Sequence, residues 1–377
     1  MEQVIDRLGR LRAAGVSIWL DTLSRELLET GRFAGLVRDF GVTGATSNPT
    51  IFAAAITGSD RYDDQLHALA HAGVRDPREL FFALALDDVR AAADLLRERY
   101  EDSRGTDGFV SFECTPDLAY DTDGTIEQAL ALWRRLDRPN VMIKVPATAA
   151  GLPAIEELTA RGVNVNVTLL FAVARYEQVI DAYLSGLRRR AKAGRPLDRI
   201  ASVASFFVSR VDAKGDAALP AGSPLRGRLA IANAHAAYAR YHERFADAPW
   251  RALEAAGARP QRPLWASTGT KDPAYSDVLY VERLVAPGVV NTMPEKTLRA
   301  FAEHGEVGGA IPTDPAAAER VVEEARSAGV DLDRITVELE REGVRAFCDS
   351  YERLLERIDA KLIPTPSLSA PAGAPCS

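Results

Sequence analysis

The feature that most constrains the fold of this chain is the recurrence of short apolar runs separated by longer segments with helical spacing. Runs rich in Val and Ile that end at turn residues are typical of buried strands. They lie at residues 17–21, 41–48, 109–114, 141–146, 163–169, 200–207, 263–268 and 289–293. Nearly every gap between them has room for a helix, and such alternation predicts parallel pairing with right-handed crossovers.

About eight strand–helix units in 377 residues predict an α/β fold, a closed (β/α)8 TIM barrel. The main alternative is a doubly wound open sheet, but its Gly-x-Gly-x-x-Gly fingerprint after the first strand is missing. Residues 50–107 and 211–262 exceed an ordinary crossover, and we predict additional helices in them, at 77–100 and 226–245. No composition shift marks a second domain, so residues 1–363 are predicted to form one barrel domain.

The C-terminal part has apolar residues three and four positions apart, which predicts a helix with one apolar face. These residues are Val344, Phe347, Tyr351, Leu354, Leu355 and Ile358. The sequence leaves open whether this helix packs across the barrel or against a partner subunit in a homodimer. Residues 364–377 are rich in Pro, Ala and Ser, and we expect them to be disordered.

The composition is that of a soluble globular protein, with 47% apolar and 26% charged residues. A net charge of −7 argues against a nucleic-acid-binding surface, and the basic cluster at 188–195 is interpreted as the solvated end of a helix.

Cys114, Cys348 and Cys376 have the spacing of neither a disulfide framework nor a zinc site. With no leader and no run of about 18 apolar residues, we expect a cytoplasmic protein that does not bind membranes.

One charged residue, Lys144, interrupts the β-branched run Val141–Pro146. An ammonium group is costly to bury unless it is paired or neutralised. Desolvation lowers the pKa of a lysine, and the neutral amine is the nucleophile that forms a Schiff base with a carbonyl. Taken alone, however, Lys144 is more simply explained by a structural ion pair or by access to solvent at the strand end.

Polar residues alternate with valines in the fifth run, at Asn164, Asn166 and Thr168. Successive side chains on a strand point to opposite faces, and the outer face of a barrel strand packs on helices. We therefore expect these three residues to point inward, toward a ligand or an ordered hydrogen-bond network.

Other chemically capable residues fall at or near the C-terminal ends of the predicted strands, where barrel enzymes have their active sites. They are Asp21, Asn48, Glu113, Ser205, Phe207, Arg210 and Ser267. Any one of them is explained as a cap or turn residue. The coincidence of an amine, two carboxylates and several hydrogen-bonding groups at equivalent strand ends favours a functional site.

The chain resembles the transaldolases of the longer bacterial type, within the class I Schiff-base aldolases. The resemblance is carried by motifs that occur in order at residues 41–50, 141–148, 162–171, 205–210 and 265–271. Together they cover nearly the whole predicted barrel, and several motifs in the right order are more specific than any one of them.

The resemblance implies a transferase, without cofactor or metal, that moves a dihydroxyacetone unit between sugar phosphates. The implied reaction of the pentose phosphate pathway converts sedoheptulose 7-phosphate and glyceraldehyde 3-phosphate to erythrose 4-phosphate and fructose 6-phosphate. Lys144 is implied to form an imine at C2 of the ketose, and Asp21 to take the C4 hydroxyl proton. Glu113 and Thr168 are implied to position a water. The three-carbon fragment is implied to contact Asn48, Asn166, Ser205 and Phe207.

The phosphate site departs from the family pattern. Arg210 and Ser267 match family residues, but two positions after the serine, where many members have a cation, stands Gly269. We predict that the nearest cation, Lys271, is the second phosphate ligand. The alternative is that Lys271 is a solvated loop charge and that Arg210 acts with backbone amides.

Three other functions remain as alternatives. A lyase that releases dihydroxyacetone is disfavoured by Glu113, because the related aldolases lack a carboxylate there. A paralogue in a specialised sugar pathway stays open, whereas a barrel without turnover is disfavoured by the intact set of Lys144, Asp21 and Glu113. We expect no metal, because His67 and His71 lack a third ligand.

Overall fold

The structure, a computed structural model, describes residues 2–47 and 49–362. Within these residues, eight parallel strands close into one barrel, in which consecutive strands pair and the eighth pairs with the first. The strands are β1 (Ser17–Leu20), β2 (Gly44–Thr46), β3 (Val110–Glu113), β4 (Val141–Pro146), β5 (Val165–Leu170), β6 (Ser202–Phe207), β7 (Arg262–Ala266) and β8 (Val290–Met293). The predicted (β/α)8 barrel is confirmed.

The helices before β4 include four that lie in the long segment between β2 and β3, where an ordinary crossover has one. They are α1 (Glu2–Ala13), α2 (Arg25–Glu29), α3 (Arg32–Asp39), α4 (Pro49–Thr57), α5 (Asp63–His71), α6 (Pro77–Leu95), α7 (Arg97–Asp102) and α8 (Thr122–Leu136). The helix predicted at 77–100 is therefore two helices. It begins where Asp76 accepts a hydrogen bond from the Arg78 amide, and it breaks at Leu96, whose ψ of 1° is not helical.

The later helices are α9 (Gly151–Arg161), α10 (Val173–Lys192), α11 (Ser209–Ala217), α12 (Leu229–Arg244), α13 (Ala248–Ala255), α14 (Leu279–Arg283), α15 (Glu295–His304), α16 (Ala316–Ser327) and α17 (Leu332–Leu362). The helix predicted at 226–245 is α12, which begins three residues later. The basic cluster near residue 190 falls in the last turn of α10, as predicted. Among the described helices, none combines the length and apolar character needed to cross a bilayer.

The barrel strands are buried on both faces. Every residue of β5 and of β6 is buried, because helices cover the outside and side chains fill the inside. Asn164 lies just before β5, and its side chain donates to the Pro139 and Val141 carbonyls at 3.0 and 3.1 Å. Its Oδ1 accepts from the Ala201 amide at 2.9 Å. Asn164 therefore joins the ends of neighbouring strands. The sequence analysis left open whether the polar face contacts a ligand or forms an ordered hydrogen-bond network, and Asn164 belongs to such a network.

The C-terminal helix α17 packs on the barrel of its own chain. It contacts α4, α6, α11 and the end of β5. Most of the predicted apolar stripe is buried in these contacts, including Val344, Tyr351, Leu354 and Ile358. Of the two alternatives for this helix, packing across the barrel is the one observed. The tail predicted to be disordered and Asn48 both lie outside the described residues.

Candidate active site

The buried amine of Lys144, on β4, is held by one neighbour on β3 and by another that directly follows β2. In the register of β3 and β4, Lys144 lies opposite Glu113. The Nζ atom lies 3.1 Å from Glu113 Oε2 and donates a 2.6 Å hydrogen bond to the backbone carbonyl of Ser47, directly after β2. Only 7% of the lysine side chain is exposed. The amine is thus buried, paired with a carboxyl group and fixed in direction, and it must lose a proton before it can act as a nucleophile.

Glu113 is a carboxyl whose protonation is finely balanced. Burial raises its pKa from 4.5 to about 7, against the opposing pull of Lys144 and with a smaller contribution from Asp21. The contact with Lys144 is an ion pair without hydrogen-bond geometry, so among the described residues Oε2 has no hydrogen-bond donor. The buried hydroxyl of Thr168 likewise lacks a described partner. Buried polar atoms of this kind call for a bound water or a ligand atom.

Asp21 follows the last residue of β1 and is oriented by threonines. Its Oδ1 accepts a 3.2 Å hydrogen bond from Thr46 Oγ1, which lies 3.0 Å from Thr292 Oγ1. Burial raises the pKa of Asp21 to about 6, opposed chiefly by Lys144 and the Thr46 hydrogen bond, and less by Lys271 and Arg210. A carboxyl with such a pKa exchanges a proton readily near neutral pH.

A chain of hydrogen bonds crosses the inside of the barrel beside Lys144. Ser205 Oγ donates to Asn166 Oδ1 at 2.7 Å, and Asn166 Nδ2 donates to Ser111 Oγ at 2.9 Å. All three side chains are buried. The chain fixes the orientation of the amide and of the serine hydroxyl, and the structure brings Asn166 and Ser205 together.

A cavity of about 280 Å³ opens at the C-terminal end of the barrel, with Lys144 and Asp21 in its wall. The remaining lining residues are Thr46, Thr50, Ile51, Thr168, Ser205, Phe207, Arg210, Ala266, Ser267, Lys271, Thr292 and Phe347. Glu113 and Asn166 do not line it, but each contacts a residue that does. The volume suits a small polar metabolite.

Two cations lie at the rim of this cavity. Arg210 is in the first turn of α11, with its guanidinium 5.2 Å from the centre of the Phe207 ring, and Lys271 is exposed on the segment after β7. Burial lowers the pKa of Arg210, whereas the charge of Asp21 raises it. Ser267 has a left-handed backbone with φ of 56°, and its hydroxyl lies 2.9 Å from that of Ser209. A serine with a strained backbone that lines the same cavity as two cations fits an anion-binding rim.

Several lining residues were not predicted from the sequence. Thr46 and Thr292 lie in β2 and β8 and orient Asp21. The only feature of the sequence that could have indicated them is a polar residue near the end of a predicted strand. Phe347 belongs to the apolar stripe of α17, which the sequence analysis treated as a packing face. The carbonyl of Ser47 carries no sequence signal, because every residue has one.

The remaining candidates for other chemistry are structural. Burial raises the pKa of the Cys114 thiol, so the sulfur stays protonated and packs as a small apolar group. Among the described residues, no three His, Cys, Asp or Glu side chains cluster as metal ligands would.

Sequence comparisons relate the chain to proteins of a known family. Residues 18–358 match the family described as Transaldolase/Fructose-6-phosphate aldolase. The chain is 52% identical over 362 residues to a protein named transaldolase from Acidothermus cellulolyticus, covering 95% of this chain and 97% of the relative. Similar relatives of the same name are 51% identical in Parafrankia sp., covering 94% and 98%, and 50% identical in Mycolicibacterium smegmatis, covering 94% and 97%.

Proposed function

The chain belongs to the transaldolase/fructose-6-phosphate aldolase family, and on this premise we propose that Lys144 carries a dihydroxyacetone unit between sugar phosphates as a Schiff base. The observation that carries the proposal is the buried Lys144 amine, which is fixed by Ser47 and Glu113 in the wall of the cavity. In the proposed reaction the neutral amine attacks C2 of a ketose phosphate, and loss of water gives the imine.

Asp21 is proposed as the acid/base for bond cleavage. The carboxylate takes the proton of the C4 hydroxyl, the C3–C4 bond breaks, and its electrons move into the imine to give an enamine. The aldose phosphate leaves with its new carbonyl, and the same steps in reverse join the fragment to a second aldose phosphate. The raised pKa of Asp21, about 6, supports this role because proton exchange then operates near neutral pH.

Glu113 and Thr168 are proposed to hold the water that enters and leaves at C2. Both present a buried oxygen without a described hydrogen-bond partner, on the two strands that flank β4. Water bound there would pass a proton between Glu113 and Lys144, which frees the amine for attack. A pKa of about 7 lets Glu113 accept that proton and return it.

Arg210 and Lys271 are proposed to bind the phosphate group, together with Ser267, which lines the same cavity. Their place at the cavity rim supports the assignment, and so does their combined charge. Asn166 and Ser205 would hold the hydroxyls of the three-carbon fragment beside Phe207, as the family resemblance implies, and Asn48 would join them.

The transferase is proposed over the lyase because Glu113 is present, and relatives named transaldolase support that choice. The proposed substrates are sedoheptulose 7-phosphate and glyceraldehyde 3-phosphate, with erythrose 4-phosphate and fructose 6-phosphate as products. The proposal includes the pentose phosphate pathway as the setting and the cytoplasm as the compartment.

Reductive trapping tests the Schiff base. Incubation with fructose 6-phosphate and borohydride should add a reduced three-carbon unit to the peptide that contains Lys144, as read by mass spectrometry. Lys144→Arg should abolish the adduct, whereas Lys271→Arg, a matched change at the other lysine of the cavity, should retain it. An adduct on Lys271, or none in the wild type, would refute the assignment.

Acceptor dependence tests transfer against lysis. Steady-state consumption of fructose 6-phosphate should require erythrose 4-phosphate, because the enamine stays on Lys144 until an acceptor arrives. Without the acceptor, we expect release of about one equivalent of glyceraldehyde 3-phosphate per enzyme. Continued turnover without acceptor would support the lyase instead.

A further inference from the structure

The segment between β7 and α14 carries Lys271 but gives its side chain no support. The ammonium group is exposed, and within residues 2–47 and 49–362 no side chain or carbonyl forms a hydrogen bond or ion pair with it. The place of this charge over the cavity therefore depends on how the backbone of its segment is anchored.

Two buried carboxylates outside the active site anchor this segment and the helix α14 that follows it. Tyr275 Oη donates a 2.7 Å hydrogen bond to Asp216 Oδ2, and Tyr280 Oη donates a 2.9 Å hydrogen bond to Asp212 Oδ2. Asp212 and Asp216 lie one turn apart on α11. The first turn of the same helix carries Arg210, so both cations of the rim are tied to one rigid element.

The two carboxylates are themselves held in place. The Gly227 amide donates to Asp216 Oδ1 at 3.0 Å, and the Ala230 amide donates to Asp212 Oδ1 at 2.8 Å. Ala230 is in the first turn of α12, where the helix dipole stabilises negative charge, and Gly227 lies two residues before that helix. Asp216 is 5% exposed and Asp212 is 1% exposed. Each carboxylate is thus a fixed acceptor for its tyrosine.

We propose that the Tyr275–Asp216 hydrogen bond is a positioning contact that sets the distance between Lys271 and Arg210. Lys271 lies four residues before Tyr275 in an irregular segment, and Arg210 lies six residues before Asp216 on α11. The inference rests on the proposed function, because it assumes that both cations bind the substrate phosphate. Tyr275 and Asp216 themselves do not contact the substrate in this proposal.

A second contact on the carboxyl-terminal side of Lys271 is much weaker. Arg226 Nη2 lies 3.5 Å from Asp272 Oδ2, with about a third of each side chain exposed, and solvent screens such a pair. Tyr280 lies nine residues beyond Lys271 and anchors α14, farther along the chain. On the amino-terminal side of Lys271, the buried Thr268 is fixed to β8 by hydrogen bonds to Asn291 Oδ1 and to the Thr292 carbonyl. On the carboxyl-terminal side, Tyr275 makes the stronger of the two contacts, and the place of Lys271 between these two points therefore depends on it.

Paired conservative substitutions test the proposal. Tyr275→Phe removes one hydroxyl, and KM for fructose 6-phosphate and erythrose 4-phosphate should rise about 3- to 10-fold, the effect of losing one hydrogen bond. The kcat should stay within about twofold, because the Schiff-base residues are untouched. KM for D-glyceraldehyde, an acceptor without phosphate, should not change.

Tyr280→Phe is the matched control, since it removes the same group from the neighbouring carboxylate. It should lower the thermal unfolding midpoint and leave KM for the phosphorylated substrates unchanged. An unchanged KM in Tyr275→Phe, or an equal rise for phosphorylated and unphosphorylated acceptors, would refute the positioning role.

A double-mutant cycle separates this inference from the proposed function. Lys271→Ala should raise KM for erythrose 4-phosphate about 10-fold or more, and adding Tyr275→Phe should then have no further effect. If Lys271→Ala leaves KM unchanged, the proposed phosphate ligand is wrong. If Lys271→Ala raises KM but the two effects add fully, the ligand stands and the positioning role of Tyr275 is wrong.

Discussion

Replacing Glu113 with glutamine should change how the stability of the protein depends on pH. Burial raises the pKa of Glu113 from 4.5 to about 7, so in this range the folded protein binds the proton more tightly than the unfolded chain. Its stabilising effect is complete below the unfolded value of 4.5 and is lost as the pH rises through 7. Since a tenfold difference in affinity is worth about 1.4 kcal/mol, the loss between pH 5 and pH 8 is roughly 2–3 kcal/mol.

Urea unfolding at pH 5 and pH 8, followed by the fluorescence of the four tryptophans, measures this loss. The wild type should lose roughly 2–3 kcal/mol more than Glu113→Gln across that interval, because the amide does not titrate. Glu323→Gln, at an exposed position of α16, should keep the wild-type dependence. Parallel curves for the wild type and Glu113→Gln would refute the reasoning.

Three further outcomes follow from the packing and charge of the site. The kcat/KM for fructose 6-phosphate should fall as the pH drops below about 6, because Asp21 must be ionised to take the C4 proton, and a flat profile down to pH 5 would contradict that role. Gly35→Ala, whose Cβ would have only ordinary contacts 3.9 Å from Arg38 and Asp39, should stabilise its helix by up to about 1 kcal/mol in urea unfolding. In Gly343→Ala the Cβ would lie 2.9 Å from Leu169, so this variant should not be stabilised, and an equal gain in both variants would exclude the clash. Asp88→Ala breaks the buried ion pair with Arg25 and should lower the free energy of unfolding by about 3–5 kcal/mol. Glu101→Ala breaks an exposed pair and should change the free energy of unfolding by no more than about 0.5 kcal/mol, and comparable losses in the two variants would contradict the role of burial.

The sequence anticipated the barrel because its signals are local. β-branched runs and the helix-length gaps between them lie within short windows, and they located all the strands that the structure describes. Boundaries were less exact: the second run was predicted at 41–48, but the strand is Gly44–Thr46, because Gly41 turns the chain with a φ of 67°. Helix breaks such as Leu96 escaped prediction, since no Pro or Gly marks them.

The sequence also named most of the cavity wall. Lys144, Asp21 and Thr168 fall at equivalent strand ends, and in a barrel that placement alone brings them together. The polar periodicity of β5 was less informative, since it applied equally to Asn164 and Asn166. Only the observed contacts distinguish the two residues. Asn164 forms hydrogen bonds to the backbone of neighbouring strands, whereas Asn166 contacts Ser205, a residue of the cavity wall.

By itself, then, the sequence determined the barrel, the order of its strands and the chemical types gathered at one end. The tertiary structure decided the pKa values and the hydrogen-bond partners of those groups. The raised pKa values of Asp21 and Glu113, the carbonyl that holds Lys144 and the tie from Tyr275 to Asp216 all join elements distant in the chain. Desolvation and hydrogen-bond geometry depend on which atoms pack together in space, and neither spacing nor residue type along a chain records those distances.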